Sequence, residues 1–491
     1  MTITFGQIPA NLQVPGTYAE IEAAATAAVQ PRRFIALGPK LSGGTAPDNE
    51  LQLLTSAAQA DTLFGIGSYL ARMARRFFAA NPGQPLRAVG IPDDGGATDA
   101  TGTIVVTAAA TAAGTLSLYI GGQLVEVAMT GSQNIAQTAD AIAAAIPASS
   151  QLPVTASSDS VDTVTLTAKH GGTLGNGIDV RLNALGQPGG EVTPTGFTAT
   201  ITEPSGGATD PALTTALAAI AEEPYATLIS AWSTSAALAA IDTHIVARWG
   251  YSVGLYGAVI AAADDSVANL VSAASASATT YGALCGIEDS PTPTWELAAL
   301  VAATAGQRLH DDPAANVAGV ELPGTVPPDA GDRFAFSDVQ TLITSGVSPL
   351  AVNSAGNVYL AKAVTIGTSS TSAWFPLPTP YSVAYAAEYI LTGLAAKFAG
   401  YKLANDGTTI PPGSKIATPA IVRAEALALY RDLTPEGSGP VAILENFDYA
   451  IANTVATRNV TNPQRVDLLQ PLDLINQLEI IATLLQFGLQ L

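Results

Sequence analysis

One cysteine stands in 491 residues, so no disulfide can form within the chain and packing alone must hold the fold. That residue, Cys285, sits in the apolar run Tyr281-Gly-Ala-Leu-Cys-Gly-Ile287 with no histidine near it in sequence, which reads as a small buried hydrophobe and not as a nucleophile. Histidine is nearly as scarce. His170, His244 and His310 lie far apart, each read as a surface or turn residue, so they offer no cluster for a metal or a proton relay. The patterns G-x-x-x-x-G-K-[ST], G-x-S-x-G, H-E-x-x-H and C-x-x-C are all missing. The expectation is therefore a chain with no catalytic residue, no metal and no cofactor. Aromatic residues make up only 6% against 48% hydrophobic, so the cores should be built from small side chains. No run approaches the ~18 to 20 apolar residues of a membrane span, and the opening Met1 to Pro9 lacks a basic and an apolar signal region, so a soluble, unexported protein is expected. Cations are few, and a net charge of −20 argues against nucleic acid or an anionic membrane as partner.

The cations that exist are concentrated at the two ends. Residues 1–89 and 381–491 together hold 14 of the 20 Lys and Arg, which leaves an acidic middle. The pattern along the chain follows the same division. Thr2 to Ile8 alternates weakly before Pro9 and Pro15, a short extended arm. Ser56 with Gln59 opens a capping box, and Leu63, Leu70, Met73 and Phe77 follow at helical spacing, which predicts one helix as far as Asn81-Pro82. From Gly95 to about Glu203 the texture turns to Thr, Val and Gly with period-two stretches, a hairpin turn at Gly121-Gly122 and a helix over Ile135 to Ile146, which predicts an inserted, mostly β domain. Between Asp210 and Arg308 three apolar β-runs (226–231, 254–260, 281–287) alternate with helices (236–248, 265–274, 294–308), the pattern of parallel strands covered by helices. After Pro323, Pro327 and Pro328 come a helix at 338–344, a strand at 358–366, helices at 382–398 and 418–432, and a closing strand-helix-strand group.

The fold expected is a mixed α+β and α/β multidomain chain. Its division reads as an N-terminal arm 1–20, a segment 21–92, the β insert 93–205, an α/β middle domain 206–325, a segment 326–480 and a C-terminal strand arm 481–491, the segments 21–92 and 326–480 being the two parts that the resemblance described below implies form one core. Gly171-Gly172-Thr-Leu-Gly175-Asn-Gly177 superficially resembles a phosphate loop but leads into no helix, so it reads as a turn. Asp264-Asp265 reads as a helix cap and Asp311-Asp312, before Pro313, as a loop. Arg72, Arg75 and Arg76 read as a solvated or interface face, since Leu70, Met73 and Phe77 take the buried stripe.

At the end, Leu485, Phe487, Leu489 and Leu491 alternate with Gln486, Gly488 and Gln490. An amphipathic strand with no hairpin partner beside it must pair with something distant, unless it frays; with Ile3 and Phe5 at the start it makes two loose strands suited to adding to a sheet edge, in this or another subunit.

Collinear segments carry a family resemblance. Leu63-Phe64-Gly65-x-Gly67-Ser68-x-Leu70-Ala71-x-Met73, Ala112-Ala113-Gly114-Thr115, Leu166-Thr-Ala-Lys-His-x-Gly172, Asp312-Pro313-Ala314, Asn462-Pro-x-Arg465-Val-Asp and Pro471-x-Asp473-Leu-x-Asn476-Gln477-Leu together resemble the tail sheath proteins of Mu-like contractile phages, with departures at Val364 to Ser370 and at Glu479. The resemblance implies a core made from the N- and C-terminal parts with the middle domains protruding, and terminal arms that tie neighbours together. It also implies a homo-oligomer of stacked, hexameric rings around a tail tube protein, with baseplate and tail terminator proteins as further partners, in a virion tail assembled in the host cytoplasm. Under that reading Lys397, Lys402, Arg423, Arg458 and Arg465 become candidates for facing the tube, each equally readable as a solvated charge. Two rival functions remain at this level: an α/β enzyme, against which Ile229-Ser-Ala-Trp-Ser-Thr stands where a Rossmann glycine fingerprint belongs, and an adhesive surface β-protein, against which no export signal is seen.

Overall fold

The computed structural model describes residues 33–148 and 150–485, which fall into two compact units, one made of residues 33–381 with 478–485 and the other of residues 382–477. Ile3, Phe5, Phe487, Leu489 and Leu491 lie outside the described residues.

The larger unit is organised on a nine-stranded sheet. Its first strands are β1 (Phe34–Pro39), β2 (Leu51–Leu54) and β3 (Leu86–Ile91), with helices α1 (Ala57–Phe64) and α2 (Tyr69–Ala80) between β2 and β3. Every residue of β1 is buried, as a strand covered on both faces requires. The single helix expected over 56–81 is two. Gly65 and Gly67 take φ of +88° and +81°, which no helix accommodates, and Ser68 then caps α2 by accepting the Ala71 N–H at 3.2 Å.

The insert follows: β4 (Asp99–Ala108), β5 (Gly114–Ile120), β6 (Gln123–Met129), α3 (Ile135–Ala148), β7 (Val154–Ser158), β8 (Thr163–Gly171), β9 (Val180–Leu182) and β10 (Thr198–Ser205). Its strands make two antiparallel sheets, in the orders β10-β4-β8-β7 and β6-β5-β9, with α3 packed against strands of both. Entry and exit are stapled together, because Thr98 pairs with Ala208 and Asp210 accepts from the Thr173 N–H (2.7 Å) and hydroxyl (2.6 Å). The glycine-rich run 171–177 thus ends in a tight 3-10 turn over Thr173–Gly177 that closes the insert's base.

The chain then returns to the main sheet through α4 (Thr214–Ala219), β11 (Thr227–Ser230), α5 (Ser235–Trp249), β12 (Ala258–Asp264), α6 (Val267–Ala276), β13 (Gly282–Ile287), α7 (Thr294–Val301), a π-helical turn at Ala302–Gly306, α8 (Gln307–Asp311), β14 (Val320–Glu321), α9 (Phe336–Thr344), β15 (Ser348–Val352) and β16 (Val358–Leu360). The sheet order is β14-β16-β15-β13-β12-β11-β1-β3-β2, with β3, β1, β11, β12, β13 and β15 parallel and the outermost strands antiparallel. This differs from the expected separation of residues 21–92 from 206–325. β1 pairs with β3 on one side and β11 on the other, so both segments complete one hydrogen-bonded ladder; the prolines at 323–328 mark only a loop. β16 also stops short of the strand expected to Ile366, as Val364 turns to bridge Pro376.

The smaller unit takes in most of α10 (Pro378–Lys397), then β17 (Lys402–Leu403), β18 (Ile416–Ala417), α11 (Pro419–Asp432), α12 (Phe447–Asn453), β19 (Val455–Arg458) and β20 (Val466–Leu469). The strand-helix-strand ending is instead a helix followed by a hairpin, turned where Asn459 Oδ1 accepts the N–H groups of Thr461 and Asn462 at 3.0 and 2.8 Å.

The β5–β6 turn is the predicted Gly121-Gly122, both at positive φ (+54° and +70°). A Cβ on Gly122 would stand 3.1 Å from the Pro291 carbonyl oxygen, whereas one on Gly43 would meet nothing within 4 Å. Gly122→Ala should therefore lower the unfolding free energy by roughly 1–2 kcal/mol, and Gly43→Ala should leave the urea midpoint almost unmoved.

Candidate assembly sites

Arg72 is the centre of the seam where the insert meets the main sheet. It is 4% exposed, on the face of α2 that turns toward α7, and its guanidinium pairs with Glu296, itself 1% exposed, at 2.5 Å. The remaining donors reach the insert: Gly121 O at 2.9 Å, Gln151 O at 2.7 Å and Gln123 Oε1 at 3.0 Å. Arg76 shares the same carboxylate at 2.5 Å and donates to Gly324 O at 3.0 Å. Two of the three arginines assigned to an outer face are thus structural; their helix is buried on nearly every side. Beside them the Tyr69 ring stacks on Trp295 (centroids 4.2 Å apart, 9° between planes) and meets the edge of His170 at 4.6 Å. His170 is fully buried, with Nδ1 2.9 Å from Asp93 Oδ1, so it is not the surface residue expected. Nor is His244, which burial pushes down to about 4 beside Arg248, nor His310, whose ring lies 5.5 Å from Phe34.

A second polar group closes the same seam. Arg181 on β9 pairs with Asp179 (2.6 Å), with Asp289 in the loop after β13 (3.1 Å) and with Asp329 (3.9 Å). Asp264, at the end of β12, accepts the Ser290 N–H at 2.8 Å; it holds that loop, and only Asp265 serves α6, accepting from Ser266 N at 2.7 Å. Burial pushes Asp264 up to about 7, with Asp289 and Asp179 adding in the same direction, and pushes Asp179 up to about 6 against the pull of Arg181. Cys285, inside β13, is buried and its thiol pushed up to about 12, the inert packing residue read from its surroundings. Among the described residues no group of His, Cys, Asp and Glu is arranged to hold a metal ion, and no helix is long and apolar enough to cross a membrane.

The surfaces without cover lie at the end of the chain. Leu478, Ile480, Ile481, Leu484 and Leu485 are 72–86% exposed and residues 478–485 belong to no strand. In the smaller unit, β19 and β20 form a sheet of two strands, with Val455, Val460 and Leu469 49%, 98% and 65% exposed. The five candidate cations fall in this unit and differ in how far they are engaged. Arg423 donates to Thr454 O at 2.7 Å and to Ile451 O, tying α11 to the end of α12; Arg458 donates to Pro463 O and Asn405; Arg465 pairs with Asp467. Lys397 stands 3.5 Å from Glu425, and Lys402, on β17, is exposed.

A family model for the phage tail sheath protein central domain matches residues 206–366, the segment that supplies β11 to β16. Over 495 aligned residues, 99% of this chain and 100% of the relative, the chain is 32% identical to the Mu-like prophage FluMu tail sheath protein of Haemophilus influenzae. It belongs to the phage tail sheath family. Solved structures similar to this sheath protein include the sheath tail protein of Desulfitobacterium hafniense (10% identity, TM-score 0.47, covering 94% of this chain and 100% of that one) and the sheath complex of the extracellular contractile injection system PVC in its contracted state (12%, TM-score 0.48, 97% and 98%). The sheath family is one of structural tail components.

Two outcomes follow from the seam of this sheath protein. Arg72→Met leaves the buried Glu296 with Arg76 as its remaining cation and should cost about 3–5 kcal/mol of unfolding free energy in urea denaturation, while replacing the whole group (Arg72→Met, Arg76→Met and Glu296→Leu) should recover much of that loss. Asp264 and Asp179 hold their protons to higher pH when folded than at the ordinary value of 3.8. At these two carboxyls the folded state binds more protons between about pH 4 and 7, and their contribution to stability falls as pH rises through that window, opposed by His244, which binds fewer protons when folded. Melting temperature should fall less, or rise more, between pH 5 and pH 8 in Asp264→Asn than in the unsubstituted chain.

Proposed function

We propose that these subunits stack as hexameric rings around a tail tube protein and contract by switching between two packings of the same folded bodies. One observation supports this above the rest: an apolar tail that its own subunit leaves bare, in a molecule that also displays a two-stranded hairpin with open edges. Pairing residues 480 onward of one copy with β19 or β20 of a neighbour would satisfy both, and each large apolar side chain so covered contributes about 1.5–3 kcal/mol before ordering costs. Extended contacts of this kind let neighbouring bodies move while the chain stays linked, and a bistable packing of that sort needs no nucleotide. The loop at the carboxyl end of β13 is engaged by the insert's hairpin and by Arg181, which holds the insert on the sheet as one body.

Leu485, with Phe487, Leu489 and Leu491, belongs to the donated strand in this reading, and Ile3 and Phe5 to a matching N-terminal arm. Of the five candidate cations this reading favours Lys402, exposed on β17, for facing the tube, since Arg423, Arg458 and Arg465 are held by neighbours within the unit and Lys397 stands 3.5 Å from Glu425. Baseplate and terminator proteins cap the stack at its ends, and assembly takes place in the host cytoplasm. Deleting residues 480–491 should abolish sheath-like tubes in negative-stain images while circular dichroism and the melting temperature stay near those of the full chain. Normal tubes from the truncated chain would refute strand donation.

A further inference from the structure

Every large apolar side chain of residues 478–485 is exposed, Leu478 at 72% included. The first two residues are nonetheless held by the larger unit: Asn316 Nδ2 donates to Leu478 O at 2.8 Å, and Lys362 Nζ pairs with the Glu479 carboxylate. Neither holder is free to wander. Asn316 Oδ1 accepts the Ala318 N–H at 2.9 Å, which fixes its amide, and the Lys362 ammonium lies 5.6 Å from the centre of the Phe375 ring. The ion pair is partly sheltered, with the two side chains 24% and 21% exposed, so it is screened less than a pair standing in bulk water. The large apolar residues beyond it are 77–86% exposed.

We propose that Lys362 and Asn316 form a catch that holds the root of the tail on its own subunit and so positions the strand a neighbour receives. The idea rests on the strand-donation reading above. A tail loose from Gln477 onward would sweep a large volume and lose that freedom on pairing; one pinned at 478 and 479 starts from a fixed exit point, with a higher effective concentration at the acceptor edge. Lys362, Glu479 and Asn316 are thus positioning residues, and none of them needs to touch the partner.

The test uses the full chain with Lys362→Glu, with Glu479→Lys and with both, read first as backbone NMR order parameters of residues 478–481 in unassembled subunits and then as the concentration at which sheaths form. Each single reversal should lower those order parameters into the flexible range, below about 0.6, and should raise the assembly concentration; the double exchange should restore both. Lys362→Met, which keeps the stem against Phe375, should behave as a milder version of the reversal. Unchanged order parameters in Lys362→Glu would overturn the catch whatever the assembly result. A double exchange that restores the order parameters but not assembly would overturn the positioning role. Strand donation is tested separately by the 480–491 deletion, so the failure of one is distinguishable from the failure of the other.

Discussion

The ion pair of Arg72 with Glu296 is the contact on which the larger unit depends. Removing two such charges from water is costly, and attraction offsets that cost only where geometry is good and every remaining donor finds an acceptor. Here Arg72 meets Glu296 from α7, the turn of the β5–β6 hairpin and the Gln151 carbonyl, so one guanidinium links the parallel sheet's helices to the insert. The stack of Tyr69 on Trp295 and the cluster around Arg181 extend the same seam on either side. An insert of more than a hundred residues is thereby held as part of one compact unit and not as an appendage on a linker.

That arrangement bears on function. The carboxyl ends of parallel strands are where open α/β sheets usually bind ligands, and in this chain the loop following β13 is engaged in the seam. The seam is polar and buried; residues 478–485 expose large apolar side chains, and the β19–β20 hairpin exposes Val455 and Leu469.

Much of this was legible in the residues. The alternation of apolar runs and helices between 226 and 308 carries its own period, so β11, β12 and β13 and the helices between them fall close to where the pattern puts them. Gly121-Gly122 announces its turn because only that chemistry suits positive φ at two successive positions. The seam was not legible. Arg72 has no local signal that separates a buried arginine from a surface one, since its partner lies 224 residues away; nothing in the spacing marks Glu296 as its counter-ion. His170 was misjudged for the same reason, although its place in the alternating run of β8 was a signal that it points inward. The joining of β1 to β11 across the whole insert is likewise a long-range pairing that local periodicity does not encode. The exposed stretch 480–485 carries no alternation of its own, and the alternating residues from Phe487 onward lie outside the described residues. Its root at Lys362 and Asn316 carries no local pattern either.

The claim at the centre is that a subunit's uncovered tail and uncovered hairpin are completed by other copies. Hydrogen exchange followed before and after sheath assembly tests it most directly, comparing residues 480–485 and the strands 455–458 and 466–469 with the buried β12 as an internal standard. Slow exchange should appear in both the tail and the hairpin only once sheaths have formed. If both segments exchange as fast in finished sheaths as in free subunits, the copies are held together in some other way and the account is wrong.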